Sequence, residues 1–170
     1  MAVVINAGPL IALSKLNVLH LLKHLYTQVH IPRSVYEETV TEGLRSGYED
    51  ARTLHIFLNQ EQWATVAVEH LPTDLLTVGL DRGERDALAL AGTLNCPLLM
   101  DEERGRAVAR ERGIPVRGTL GVLVEAYQQN LITADQIRLY FAQIAQRSDI
   151  WISPTLCRRV LERVLPGDEE

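Results

Sequence analysis

The chain has 170 residues, of which 46% are hydrophobic, 5% aromatic and 23% charged, enough apolar material for one buried core and no sign of low complexity. Its formal net charge of −5 excludes a globally basic nucleic-acid binder, so contact with nucleic acid has to use a local patch or a metal ion that inverts the local charge. Its two cysteines, Cys96 and Cys157, lie far apart and outside CxxC spacing, which excludes a disulfide framework or a cysteine zinc site and reads as reduced thiols.

AVVI, at residues 2–5, is a short β-branched run that suits a buried strand. From Pro9 the pattern turns helical: Leu10, Leu13, Leu16, Leu19, Leu22 and Leu25 recur at every third position. Proline suits a first helical turn, where its missing N–H costs nothing. The opening stretch VVINAGPLIAL is too short and too interrupted for a signal or a membrane span, which predicts a cytoplasmic protein with no membrane partner. VHIP is a second strand, and Arg33-Ser34 opens a helix through VYEETVTEGL. YEDARTLHIFL predicts a short helix and TVAVEHL an edge strand. GERDALALAGTLN is helical, PLLMD repeats the form of the first strand, and EERGRAVARERG is a helix ended by Gly113. IPVRG is a last strand, followed by the helix TLGVLVEAYQQN. Two more helices follow, ADQIRLYFAQIAQRS and SPTLCRRVLERVL, the second with Ser153 as cap and Pro154 at its first position.

Strands and helices alternate to about residue 130, which predicts a parallel sheet covered on both faces. The expected organisation is a single domain over 1–170, with an α/β core at 1–130 and a helical extension at 131–170. The glycine pattern is neither G-x-G-x-x-G nor a P-loop. None of the five histidines has ligand spacing, and no Ser/His/Asp or Cys/His arrangement is defensible.

The polar residues collect at strand ends and helix starts. Strands of a parallel sheet point one way, so Asn6, Asp101 and Thr119 should emerge at the same edge, the edge at which open α/β sheets bind ligands. Glu38 and Glu84 can lean in from helices. Hard oxygen donors without His or Cys suit Mg2+ or Mn2+, and two such ions can drive phosphodiester cleavage. Each residue also has a plainer reading. Asn6 can cap the following helix, Glu84 can serve the helix dipole, Asp86 cannot share a face with Glu84, and Glu102 and Glu103 can decorate a helix start. Asp101 is the strongest candidate, because a carboxylate at a strand end is costly to bury without a partner. Arg104, Arg106, Arg110, Arg112 and Arg117 crowd beside it. They read either as a salt-bridged face or as a phosphate-binding rim, with Arg106 alternatively buttressing the carboxylates.

Taken together, these segments resemble a PIN domain. VVINAGPLIAL is similar to the family's opening VxDxSPLIxL stretch, with Asn6 where the aspartate stands. VHIPRSVYEETV carries the family glutamate onto Glu38, and LDRGERDALALA matches Glu84. The segment DEERGRAVARERGIPVRGTLGVL resembles a branch related to the VapC toxins, with Asp101, Arg106 and Thr119 on recurrent positions. The resemblance implies a Rossmann-like three-layer α/β/α fold with a central parallel sheet and C-terminal helices. It also implies a Mg2+- or Mn2+-dependent endoribonuclease acting on RNA, as the toxin of a toxin–antitoxin pair, with an antitoxin partner and often a homodimer. The ligand set would be Glu38, Glu84 and Asp101 with Asn6, helped by Arg106, Thr119, Asp86 and Glu102. Asn6 brings an oxygen but no charge, so the expected activity is weakened or lost. The alternative is a degenerate domain that binds RNA or protein without cutting. A phosphatase-like hydrolase is disfavoured because Asn6 stands where its nucleophilic aspartate would be.

Overall fold

The computed structural model describes residues 1–165 and 167. By its internal packing the chain divides into two units, Met1–Thr119 and Leu120–Glu170.

In the first unit, β1 (Ala2–Ile5) leads into α1 (Ala7–Lys15) and α2 (His20–Leu25), and β2 (Gln28–Pro32) into a helix assembled from three pieces. These are α3 (Arg33–Tyr36), a π-helical turn (Glu37–Thr41) and α4 (Glu42–Arg45). Then come α5 (Glu49–Glu61), β3 (Ala64–Val66), a 3-10 turn (Thr73–Leu76) and α6 (Arg82–Leu94). The unit closes with β4 (Leu98–Leu99), α7 (Glu103–Glu111) and β5 (Val116–Arg117), and α8 (Thr119–Gln128) starts at its last residue. The five strands form one all-parallel sheet in the order β3-β2-β1-β4-β5. Helices flank it, giving the expected three-layer α/β/α fold.

β1 holds the centre because it can be buried on both faces: Val3, Val4 and Ile5 are all inaccessible to solvent, as β-branched strands of parallel sheets are. Its register joins Val4 to His30 on one side and Leu98 on the other. One core cluster joins Val4 to Leu88, Leu98, Met100, Ala109 and Ile114. The chain runs outward from β1 in both directions, so the β1–β4 boundary is the point where strand order reverses. The second unit contains the rest of α8 with α9 (Ala134–Gln146) and α10 (Pro154–Val164). Ser153 caps α10 by accepting from the Leu156 N–H at 3.1 Å, as expected. Among the described residues no helix is long and apolar enough to cross a membrane.

Four expectations need correction. The leucine-rich helix starts at Ala7 and breaks in two, because Asn17 adopts φ 57°. The Val18 N–H bonds the Leu13 carbonyl and the Asn17 N–H that of Ser14, a Schellman closure that spacing alone does not reveal. The helix from Arg33 contains the π-helical turn, where the Thr39 hydroxyl also donates to the Val35 carbonyl at 2.8 Å. The helix expected at YEDARTLHIFL runs on to Glu61. The strands in TVAVEHL, PLLMD and IPVRG shrink to Ala64–Val66, Leu98–Leu99 and Val116–Arg117, since only those backbone positions face a neighbour in the ladder.

Candidate functional site

Asn6 and Asp101 follow β1 and β4, one on each side of the reversal point, and the Asn6 N–H donates to the Leu99 carbonyl at 2.9 Å. Asn6 occupies the N-cap position of α1, yet its side chain makes no capping bond. The residue is 5% exposed, and its Oδ1 is buried with no hydrogen-bond partner. A buried carbonyl oxygen left unpaired is costly, and such atoms often mark a place for water or an ion. The first turn of α1 lies against Asp101: a Cβ on Gly8 would stand 3.4 Å from both Cβ and Oδ2 of Asp101.

Asp101 itself is fully engaged. Its Oδ1 accepts from the Thr119 N–H at 2.7 Å and its Oδ2 from the Thr119 hydroxyl at 2.6 Å. Arg106 donates from Nη1 to the Met100 carbonyl at 3.1 Å, beside Gly118. A Cβ at Gly118 would come within 2.7 Å of Asp101 Oδ1 and 2.9 Å of Arg106 Nη1, so glycine is what lets the three groups meet. Burial pushes the Asp101 carboxyl up, while the Thr119 bonds and the Arg106 charge pull against that shift.

A second acidic group forms where the helix after β2 meets the start of α6. Asp81 and Glu84 close a capping box: Asp81 Oδ1 accepts from the Glu84 N–H at 2.8 Å, and Glu84 Oε2 accepts from the Asp81 N–H at 2.9 Å. Glu38 projects toward it from the π-helical turn, its Oε2 2.9 Å from where a Cβ on Gly83 would be. Asp81 Oδ1 lies 3.5 Å from the same point. Desolvation, then the negative charges of Asp81 and Glu84, push the Glu38 carboxyl above its usual range. Glu84 is pushed up too, first by desolvation; its bond from the Asp81 N–H opposes this, and the charges of Asp81 and Glu102 add to it. Arg104 moderates Glu84; its guanidinium packs on Gly79, a residue at φ +67°.

The remaining candidates have structural employment. Asp86 sits 4.0 Å from Arg82, which also pairs with Glu37 at 3.2 Å. Glu102 caps α7 through a bond from the Gly105 N–H at 2.7 Å. Glu103 pairs with Arg110 at 3.0 Å, and Arg112 pairs with Asp74. Of the arginine run, Arg104 and Arg106 bear on the acidic groups. His55 lies between the Tyr36 hydroxyl and Asn59, each 3.2 Å away. Cys96 and Cys157 are free and buried. Sequence reasoning missed Asp81, although the D-x-x-E spacing of Asp81 and Glu84 is itself a helix-start signature.

The donors present are hard oxygens of the kind that hold Mg2+ or Mn2+, and the unpaired Asn6 oxygen fits such an ion. The group is incomplete as it stands: among the described residues no three His, Cys, Asp or Glu side chains converge closely enough to hold a metal. Asp101 spends both oxygens on Thr119, and Glu84 spends one on its cap. The fit is one of donor chemistry rather than of a finished cage.

No curated protein matches the chain. Among solved structures it is similar to a PilT N-terminus domain protein from the hyperthermophilic archaeon Sulfolobus solfataricus P2. The TM-score is 0.53 at 19% identity, over 75% of this chain and 94% of that one, a likeness of fold. The DUF3368 PIN domain matches residues 2–165. The strand order, the acidic groups at the carboxyl edge and this match over nearly the whole chain agree, and the chain belongs to the PIN domain family.

Proposed function

We propose that this chain is a divalent-metal-dependent endoribonuclease with a weakened metal centre, acting as the toxin of a toxin–antitoxin pair. The observation that carries the reading is the buried, unpaired Oδ1 of Asn6 at the strand-order reversal, across which its N–H bonds the Leu99 carbonyl of β4 two residues before Asp101. Glu38, Glu84 and Asp101 would hold Mg2+ or Mn2+, with Asn6 supplying a neutral oxygen. The ion, when bound, supplies an activated water and stabilises the leaving oxygen.

The chain's own residues set the stage. Thr119 and Arg106 hold Asp101 and the Met100 carbonyl in place. Arg104 brings a positive charge close to Glu84, suited to an RNA phosphate. An antitoxin protein would restrain the activity, and a homodimer would form through the second unit, where Trp151 is 94% exposed. Sedimentation of Trp151→Ala, expected to shift the chain to monomer, checks that point.

The test is cleavage of a mixed structured RNA pool with Mg2+ or Mn2+, comparing the natural chain with Asn6→Asp and Asp101→Ala. The expected result is slow cutting by the natural chain, faster cutting by Asn6→Asp, and none by Asp101→Ala. A second reading, a degenerate PIN domain that binds RNA or protein without cutting, is favoured by the lack of a converging acid triad among the described residues. Cleavage by Asn6→Asp alone would select it.

A further inference from the structure

We propose that Asp81 and Ser34 complete the cation site with Glu38, so that this chain carries its metal-binding charge at the start of α6 instead of at the end of β1. This rests on the metal-dependent reading above and says which residues serve it.

The acidic group at Glu38 opens into a cleft of about 360 Å³ lined by Ser34, Glu37, Glu38, Glu42, Asp81, Arg82 and Gly83. Acidic side chains alone make no site. Ser34 adds an independent mark. The residue is 6% exposed, it lines the cleft, and its Oγ is buried without a hydrogen-bond partner. A buried hydroxyl left unpaired costs free energy that a ligand would recover. Ser34 and Glu38 stand about one helical turn apart, so both reach the same face.

Of the four acids lining the cleft, Glu37 and Glu42 are paired with Arg82 and Arg45, and Glu38 and Asp81 are the two that remain for a cation. Arg82 turns to Glu37 and Asp86, and Glu38 has no cationic partner among the described residues. Asp81 spends Oδ1 on the Glu84 N–H, leaving Oδ2 for a ligand. Gly83 keeps the space between them open: a Cβ there would stand 2.9 Å from Glu38 Oε2. Two carboxylates and a hydroxyl, completed by water, suit a hard divalent ion, since Mg2+ commonly keeps several waters and takes one or two protein carboxylates. Asp101, by contrast, already has both oxygens satisfied by Thr119.

The experiment is an Mn2+ titration, reading the electron paramagnetic resonance signal of the free ion, on the natural chain and on Asp81→Ser, Ser34→Ala and Asp101→Asn. Serine keeps an N-cap oxygen for α6 while removing the charge, and thermal melts show which variants fold. Asp81→Ser is expected to weaken Mn2+ binding by about tenfold or more, Ser34→Ala by a few-fold, and Asp101→Asn to weaken it by less than Asp81→Ser, because Thr119 already holds both Asp101 oxygens. If Asp81→Ser does not fold, Ser34→Ala decides. Natural affinity in Asp81→Ser and Ser34→Ala, with loss in Asp101→Asn, would overturn the inference and leave metal dependence standing. A natural chain that binds no Mn2+ at millimolar concentration would overturn both.

Discussion

Two acidic regions face each other in purpose. At the ends of β4 and β5, Asp101 is half-buried, holds two short bonds from Thr119 and has Arg106 beside it. Where the helix after β2 meets α6, Glu38 and Asp81 are exposed and Glu84 is half-buried; desolvation and then the charges of Asp81 and Glu84 raise the proton affinity of Glu38, and desolvation raises that of Glu84. A carboxylate with enough donors is a structural joint; carboxylates short of donors are a place for a cation. The same residue type serves opposite ends, and the number of donors within reach decides which.

The largest effect should come from breaking the joint. Asp101→Ala leaves the Thr119 donors and the Arg106 charge uncompensated. It should cost about 3 kcal/mol, or roughly 10 °C in Tm, read by thermal melts without metal. Gly118→Ala presses a methyl into the same joint and should cost about 2 kcal/mol; an unchanged melt would show that the contact relaxes freely. Asn6→Asp tests the boundary between the regions. Adding a charge beside Asp101 should destabilise the metal-free protein by about 1 kcal/mol, and Mn2+ should restore the loss, because a ligand that binds only the folded state stabilises it.

The smallest effect sharpens the other side. Glu38 is raised above its ordinary value of 4.5, so the folded state holds this proton more tightly than the unfolded chain. The contribution to stability is present below that value and is lost as pH rises through the folded-state value. Glu38→Gln should therefore raise Tm at about pH 7 and leave it unchanged at about pH 4, and added Mn2+ should erase the gain.

Much of this arrangement was legible along the chain. The apolar run AVVI ending in Asn6, and PLLM ending in Asp101, placed both residues at one edge of a parallel sheet, because strand direction follows from α/β alternation alone. The G-E pair of α6 and the acidic start of the helix after β2 carried Glu84 and Glu38 to the neighbourhood. Asp81 was legible only as a cap, since D-x-x-E spacing specifies a helix start whether or not a third acid lies across from it.

What the sequence determined by itself is the class of fold and the kind of donor at its edge, because both rest on local pattern: hydrophobic period, strand-end polarity and cap chemistry. The tertiary structure decided which donors are spent. Asp101 meets Thr119, 18 residues away, and Glu38 approaches Asp81 across a glycine on another helix. A π-helical turn that leaves no mark on a 3.6-residue period carries Glu38 there. Long-range packing sets how many hydrogen bonds each carboxylate receives, and that count separates a joint from a binding site.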